Sequence, residues 1–406
     1  MSLLALQSLL NQKLIVVCGS GGVGKTTLSA ALALLAAQHG KRVLVLTIDP
    51  ARRLADSLGV GALSNDETPV PAHHLRAAGV PPEGSLFALM LDTRKTFDGL
   101  VERLAPSPEV QDQILNNHYY QQISGSMVGS QEYMAMERLL EVVERGGYDL
   151  VVLDTPPSRH ALDFLRAPRR LQAVLEEGVL SWLVHPSSMM VGQLQKRLLG
   201  KMEGGMLGGL ERILGLSMLA DLSEFVLNFQ SLLGGMKERA RRTAELLGAS
   251  STSFVLVSAP AQLAAQEAAY FRTRLHEQGL HFAGFLINRT LPLAAMAPDA
   301  PAIQALRGLS EHTFRALFPA EAPTGLHATP YEGLIQKLHG QLEPTFALAS
   351  LDWHTLQWLR QQAGTEGLFL TLPELSADVH DLLSLSQLSQ LLEEAARHPL
   401  PLSPAP

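Results

Sequence analysis

The feature that most constrains the fold of this chain is a glycine-rich loop that lies between two apolar segments. The loop GSGGVGKTT (19–27) follows the apolar run KLIVVC and precedes a stretch rich in alanine and leucine that ends near residue 40. The next segment, KRVLVLTID (41–49), is again apolar. Short apolar runs favour buried strands, and the longer Ala- and Leu-rich stretch favours a helix. Strand, glycine loop, helix and strand in this order predict the start of a parallel α/β sheet.

Further apolar runs predict more strands along the chain. They cover residues 85–92, the beginning of 148–160, and residues 253–260, 281–290 and 367–373. The proline- and glycine-rich residues 61–84 favour a loop. We expect one domain over residues 1–406, in which residues 93–147 and 161–250 contribute a helical subdomain. Residues 345–406 are expected to add a strand and a helix, either as a separate module or at the edge of the same sheet.

The glycine loop has the composition of a phosphate-binding loop. Gly19, Gly24, Lys25 and Thr26 match the pattern G-x-x-x-x-G-K-[ST], and the loop lies after a strand and before a helix, as that motif requires. Its backbone N–H groups and the helix N-terminus form an anion site. Lys25 is expected to reach the β- and γ-phosphates, and the Thr26 hydroxyl to join the shell of a Mg²⁺ ion. The expected nucleotide-binding residues of the loop are Gly19, Ser20, Gly21, Gly22, Val23, Gly24, Lys25, Thr26 and Thr27.

Two carboxylates follow apolar strands at places that suit this chemistry. Asp154 ends the run VVLD, where a carboxylate can hold Mg²⁺ through a water molecule. Asp49 ends the run TID, where a carboxylate can orient or deprotonate an attacking water molecule. Asp49 also precedes Pro50, so a turn or helix-cap role is the alternative.

Four segments in this order resemble the ArsA family of P-loop ATPases. They are GSGGVGKTT, IDPARRLADSLG, GSQEYMAMERL and LDTPPSRHALDFLRAPRRL, and the resemblance extends over residues 13 to 340. This family includes the arsenite-pump ATPase and the targeting ATPase for tail-anchored membrane proteins. The resemblance implies a doubly wound, mostly parallel α/β sheet of the deviant P-loop NTPase type, with an inserted helical subdomain.

The resemblance also implies site residues and cofactors. It makes residues 19–27 the phosphate loop, Asp49 the catalytic carboxylate and Asp154 the aspartate on the Mg²⁺ side. Asn288, at the end of GFLINRT, matches the adenine-contacting asparagine of the family. An amide can both donate to and accept from the edge of adenine. The implied cofactors are ATP and Mg²⁺, and the implied assembly is a homodimer.

Ser20 departs from the family pattern. The resemblance implies a lysine here, which reaches the nucleotide of the other subunit and stabilises charge as the γ-phosphate leaves. Such a cation is worth about 10³ to 10⁵ in rate, and serine carries no positive charge. Three readings stay open: hydrolysis is slow or absent, a cation among Arg52, Arg53 and Arg159 replaces the lysine, or the chain needs no group from a partner.

Cysteine content and net charge exclude several functions. Cys18 is the single cysteine, so the thiolate arsenite site and the Cys-x-x-Cys zinc site found in the family are not expected. An arsenite-pump role is therefore not expected. A net charge of −7 favours no nucleic-acid partner. The apolar start carries no basic residue before Lys13, so we expect a short lead-in helix rather than a signal peptide, and a cytoplasmic protein.

Residues 161–250 read as broken amphipathic helices rich in methionine and glycine. Six methionines lie there: Met189, Met190, Met202, Met206, Met218 and Met236. Flexible methionines suit a groove for varied apolar partners, but they also fill gaps in an ordinary helical lid. Three functions follow: an ATPase that binds an apolar client or membrane-protein segment, an ATP-controlled switch for a protein or membrane partner, and, less favoured, a pump subunit.

Overall fold

The computed structural model describes residues 2–48, 53–123, 130–157, 216–308, 329–364, 367–375 and 377–399, together with Ser310 and His312. Within these residues the chain forms a central sheet with helices on both faces. No helix in the described ranges is both long and apolar enough to cross a membrane.

Eight strands form the sheet. The strands are β1 Leu14–Gly19, β2 Arg42–Thr47, β3 Thr68–Pro69, β4 Ser85–Met90, β5 Leu150–Asp154, β6 Thr252–Ser258, β7 Phe282–Thr290 and β8 Leu368–Pro373. Their order across the sheet is β3-β4-β2-β5-β1-β6-β7-β8. The pairing of β3 with β4 is antiparallel, and the other neighbours pair in parallel.

Helices cover the sheet. Those described are α1 Ser2–Leu10, α2 Lys25–Gln38, α3 Arg53–Leu58, α4 Ala72–Ala77, α5 Thr93–Leu104, α6 Pro108–Leu115, α7 His118–Ile123, α8 Ser130–Arg145, α9 Leu216–Gly248, α10 Gln262–Glu277, α11 Pro301–Arg307, α12 Thr329–Ala363 and α13 Leu382–Arg397. Helices α1, α2 and α13 pack in one apolar core on one face of the sheet. Helices α8, α10 and α12 pack in a second core on the other face. The predicted doubly wound α/β fold is confirmed.

The central strands are apolar because both of their faces are covered. Every residue of β1, β5 and β6 is buried. Parallel strands buried on both faces read as continuous apolar runs rather than as alternating ones. This explains why the runs quoted above located the strands to within a few residues.

A third apolar cluster joins helices α5 to α9. It contains Phe97, Leu100, Tyr120, Met134 and Met236, all of them buried. Within residues 93–147, the described residues 93–123 and 130–147 are mostly helical, as predicted, and Met236 fills a packed core. Residues 161–215, with Met189, Met190, Met202 and Met206, lie outside the described residues, so their predicted groove or lid stays a prediction.

The expectation of a loop over residues 61–84 is wrong in part. The short strand β3 and the one-and-a-half-turn helix α4 lie there. Strand β3 pairs with β4 through Thr68 and Ala88. Helix α4 buries Leu75 and is followed by the buried Val80. Elements this short have too few residues to show a hydrophobic period. The neighbouring prolines favoured the prediction of a loop instead.

The C-terminal strand and helix belong to the same layers as the nucleotide-binding strands. Strand β8 pairs in parallel with β7, with Gly284 opposite Leu368. Helix α13 packs on α2, where the Ser389 hydroxyl donates to the Gln38 Oε1 atom at 3.0 Å. The strand and helix expected after residue 345 are present at the sheet edge. The assignment of residues 1–406 to one domain stays a prediction.

Candidate functional site

The glycine loop joins the end of β1 to the first residue of α2. Gly24 caps α2 with a left-handed backbone, φ +96°, and Gly22 is also left-handed, φ +77°. A side chain at Gly24 would collide with the Asn288 amide, and one at Gly19 would collide with the Val257 carbonyl oxygen. The glycines at the two ends of the loop are therefore required by close approach of neighbouring strands.

Lys25 folds back over the loop. Its Nζ donates to the Ser20 carbonyl oxygen at 2.8 Å, and the residue is only 8% exposed. Gly21 and Gly22 are exposed, so the loop opens to solvent beside this ammonium group. A lysine held here can interact with an anion that enters the loop, because its three donors rotate freely about the end of a flexible chain.

Asp154 is the centre of a cluster of hard oxygen atoms. It is 1% exposed, and its Oδ2 atom accepts from Thr26 Oγ1 at 2.7 Å and from Thr47 Oγ1 at 2.9 Å. Ser29 Oγ lies 3.5 Å from its Oδ1 atom. Thr47 and Asp154 are register partners at the carboxyl ends of β2 and β5, which brings them beside the start of α2. Carboxylate and hydroxyl oxygens of this kind fit Mg²⁺.

Asn288 lies near the end of β7. In the strand order, β7 and the strand that carries Asp154, β5, lie on opposite sides of β1, which leads into the loop. The Asn288 Nδ2 atom donates to the Val23 carbonyl oxygen at 2.9 Å, and the side chain is half-buried. The following residue, Arg289, has a left-handed backbone with φ +59°. The strand register shifts between Ile287 and Thr290, so this bulge directs Asn288 toward the phosphate loop.

The Ser20 side chain contacts a residue that sequence reasoning missed. Its Oγ donates to Glu267 Oε2 on α10 at 2.6 Å, and Ser20 is 8% exposed. A single glutamate in an ordinary helix belongs to no motif, so no sequence signal identified Glu267. The position where the family pattern has a lysine is therefore occupied by a hydroxyl that faces a carboxylate.

Cys18 is buried in β1 beneath the loop. Burial raises the pKa of its thiol to about 12, and a hydrogen bond with Thr155 and the charge of Lys25 only partly oppose this. The thiol is therefore neutral near pH 7, whereas the ligand of a soft metal is the thiolate. No group of three or more His, Cys, Asp and Glu side chains that could hold a metal occurs in the part of the chain described here.

Asp49, Arg52 and Arg159 lie outside the described residues, so their predicted roles stay predictions. The residue before Asp49, Ile48, donates its backbone N–H to the Asp154 carbonyl oxygen at 3.4 Å. Ile48 therefore lies beside Asp154. Arg53 is exposed at the start of α3.

A family model described as anion-transporting ATPase, ArsA ATPase, matches residues 12–314. The chain belongs to this family. The resemblance carried by the phosphate loop and the segments around Asp49 and Asp154 is thereby confirmed, and the chain is an ATPase of the ArsA type. The matched residues include Asn288 and the whole of the cluster around Asp154.

Fungal proteins named ATPase GET3 are similar to this chain. The protein of Aspergillus terreus is 33% identical over 208 residues, which are 50% of this chain and 56% of that protein. The protein of Phaeosphaeria nodorum is 27% identical over 289 residues, 70% of this chain and 80% of that protein. The protein of Aspergillus niger is 32% identical over 207 residues, with 56% of its length covered. The chain thus spans little more than half the length of the two Aspergillus relatives.

Proposed function

We propose that this ArsA-family ATPase hydrolyses ATP with Mg²⁺ and that the nucleotide controls a homodimer. The observation that carries the proposal is the position of the Thr26 hydroxyl, 2.7 Å from the Asp154 carboxylate at the start of the helix that follows the glycine loop. This arrangement joins a preformed anion site to a pair of hard oxygen ligands, which is what a Mg²⁺–polyphosphate requires.

Each residue of the site has a distinct role in this proposal. The N–H groups of residues 19–27 bind the phosphates, and Lys25 leaves the Ser20 carbonyl to contact the β- and γ-phosphate oxygens. Thr26 and Asp154 would hold Mg²⁺, which neutralises charge on those oxygens when it is bound. Asp49 orients a water molecule for direct attack on the γ-phosphorus and accepts its proton, while the bond from the γ-phosphorus to the bridging β-phosphate oxygen breaks and ADP leaves.

The nucleotide base is read by Asn288 in this proposal. One N–H of its amide donates to Val23, so the amide nitrogen faces the loop and the Oδ1 atom serves as the acceptor. Adenine presents an amino donor where guanine presents a carbonyl acceptor. An acceptor oxygen at Asn288 therefore favours ATP over GTP.

Turnover by the purified protein tests the catalytic part of the proposal. We expect Asp49→Asn to retain ATP binding and to lower kcat by about 10² or more, because general-base assistance is worth that much. Asp66→Asn, an exposed aspartate, is the matched control and should turn over as the wild type does. Wild-type turnover no faster than that of Lys25→Ala would contradict the proposal.

The missing lysine at position 20 is addressed by a second set of variants. If a nearby arginine replaces it, Arg52→Ala/Arg53→Ala should abolish turnover while the dimer persists. If hydrolysis is slow because no cation is present, Ser20→Lys should raise kcat. In that case the protein is an ATP-bound switch, and a partner supplies the missing charge.

The dimer face that we propose lies on α10, beside the phosphate loop. Leu263 and Tyr270 are 70% and 52% exposed, and they share one side of the helix with Glu267, since the spacings are four and three residues. Exposed apolar side chains beside a nucleotide site suit contact with a second copy of the chain. Mass measurement with and without ATP should show a dimer with ATP, and Leu263→Asp should abolish it. A monomer under all conditions would contradict this.

A second function is favoured by the methionine-rich sequence within residues 161–250: binding of an apolar client or membrane-protein segment. Movement of α9, which follows the methionine-rich residues directly, would couple that region to the nucleotide. The test is recovery of apolar peptides with the purified protein. Exchange of Met202, Met206 and Met218 for Asp should abolish recovery and spare ATP binding; retained recovery would contradict it.

The alternative is an ATP-controlled switch for a protein or membrane partner, without a bound apolar segment. It predicts a doubling of mass with ATP and no recovered peptide. A cytoplasmic location belongs to both versions, because a chain with the single Cys18 suits a reducing compartment. Cell fractionation tests it.

A further inference from the structure

The bond between Ser20 and Glu267 links the phosphate loop to helix α10, which lies beside it. The Ser20 Oγ and Glu267 Oε2 atoms are 2.6 Å apart, although 247 residues separate them in sequence. A hydroxyl that donates to a carboxylate at this distance forms a charge-assisted hydrogen bond, which is stronger than a bond between neutral groups. The contact is therefore strong enough to hold the loop.

Ser20 is held at two of its atoms. Its hydroxyl donates to Glu267, and its carbonyl oxygen accepts from Lys25 Nζ at 2.8 Å. When Lys25 turns toward the phosphates of a bound nucleotide, its bond to the carbonyl is lost or weakened. The hydrogen bond from Ser20 to Glu267 does not depend on that movement, so it continues to hold Ser20 when Lys25 moves.

Glu267 is itself fixed by a well-packed helix. Four residues of α10, namely Ala265, Ala268, Phe271 and Leu275, are buried in the core beneath the sheet. A side chain on such an element holds its partner more accurately than one on a loop.

We propose that Glu267 is a positioning residue of the nucleotide site, which acts through the Ser20 hydroxyl to keep the phosphate loop in its anion-binding shape. The proposal rests on the proposed ATP binding by this loop. It assigns position 20 a role within its own subunit, in place of the contact with a partner's nucleotide that a lysine would make.

Removal of Glu267 can change the ATP affinity in either direction, and the direction shows whether Glu267 positions the loop or only adds negative charge near it. A carboxylate beside a polyphosphate repels it, so removal of Glu267 would tighten ATP binding if only its charge mattered. If Glu267 positions the loop, removal weakens binding instead. We expect Glu267→Ala to raise the KM for ATP and the Kd for ADP by about five- to tenfold, since a hydrogen bond to a charged group is lost.

Three further variants complete the experiment. Ser20→Ala should produce the same weakening, and the double variant should be no weaker than either single one, because both changes remove one bond. Glu267→Gln retains an acceptor oxygen without the charge and should weaken binding less than Glu267→Ala does. Glu277→Ala removes the same charge from the end of α10 and should bind as the wild type does. Thermal unfolding without nucleotide should be unchanged in all of them, which a merely structural role would not allow.

Three outcomes would overturn the proposal. Tighter or unchanged ATP binding by Glu267→Ala is one, and multiplicative effects in the double variant are another. Equal weakening by Glu267→Ala and Glu267→Gln is the third, because the acceptor oxygen that glutamine keeps would then contribute nothing to the position of the loop. A wild-type protein that binds no ADP or ATP would overturn the proposed nucleotide function as well, so titration of the wild type distinguishes the two failures.

Discussion

The Asn288 side-chain amide donates to the Val23 carbonyl oxygen across 2.9 Å, although 265 residues separate the two in sequence. This bond joins the end of β7 to the phosphate loop. It also explains the glycine at position 24, since a side chain there would occupy the place of the amide. The end of β7 and the glycine loop are therefore in direct contact.

We expect Asn288→Asp to narrow the preference for ATP over GTP. The exchange replaces the N–H donor to Val23 by a carboxylate oxygen, which repels that carbonyl and turns away from it. Loss of the oriented acceptor should weaken ATP binding by about tenfold, which corresponds to about one to two kcal/mol. Titration of the variant with ATP and with GTP measures both affinities. The matched control is Asn228→Asp on α9, and an unchanged ratio of ATP to GTP affinity in Asn288→Asp would contradict the prediction.

The second prediction concerns the Mg²⁺ requirement. Asp154→Asn keeps the size of the side chain but removes the charge that a divalent cation needs. We expect the concentration of Mg²⁺ that supports half-maximal turnover to rise by about tenfold or more, whereas ADP binding in the presence of chelator should stay unchanged. Thr47→Val removes one donor to the same carboxylate and should have a smaller effect. Equal Mg²⁺ dependence in Asp154→Asn and the wild type would contradict the role of Asp154.

The sequence predicted the parts of the site that are tied to strand ends. The glycine loop and Asp154 each follow an apolar run, and the carboxyl ends of parallel strands meet at one edge of a sheet. The contact of Thr26 with Asp154 follows from that geometry. Asn288 was expected only because the chain resembles the family, since an asparagine at a strand end does not by itself indicate a binding role.

The remaining features depend on tertiary contacts that no local pattern records. Glu267 lies in a helix whose register is set by buried residues, so nothing in its neighbourhood marks it as a partner of Ser20. The left-handed backbone at Arg289 arises from a register shift between β7 and β8. That shift depends on a strand more than 70 residues later in the chain.

The third prediction concerns the buried carboxylate that joins helices α5, α8 and α9. The Glu137 side chain is 1% exposed and accepts from Arg239 Nε at 2.5 Å and from Arg103 at 3.1 Å. Removal of Glu137 takes the shortest ion pair from Arg239, which is 13% exposed and keeps a longer pair with Glu144 at 3.6 Å, so the cost is about 3 kcal/mol, the lower end of the range for a broken buried pair. We expect Glu137→Ala to lower the free energy of unfolding by that amount, measured by urea titration.

The control for this change is Glu245→Ala on α9. Glu245 pairs with Arg241, and the two side chains are 61% and 51% exposed, so solvent compensates for its loss. Its removal should cost about 1 kcal/mol or less. Similar costs for the two variants would mean that burial of Glu137 does not govern the stability of this helical region.

The last prediction concerns Arg289, whose left-handed backbone, φ +59°, is unfavourable for a residue with a side chain. This conformation costs about 1–2 kcal/mol, and glycine avoids the cost. Glycine also has more conformational entropy in the unfolded chain, which destabilises the folded state by about 0.5–1 kcal/mol. We therefore expect Arg289→Gly to raise the free energy of unfolding by about 0.5–1 kcal/mol, and ATP affinity should persist because the bulge still directs Asn288. Arg289→Ala retains the backbone cost and should leave stability unchanged. If urea titration finds Arg289→Gly no more stable than Arg289→Ala, backbone strain at this bulge is not what limits the stability of β7.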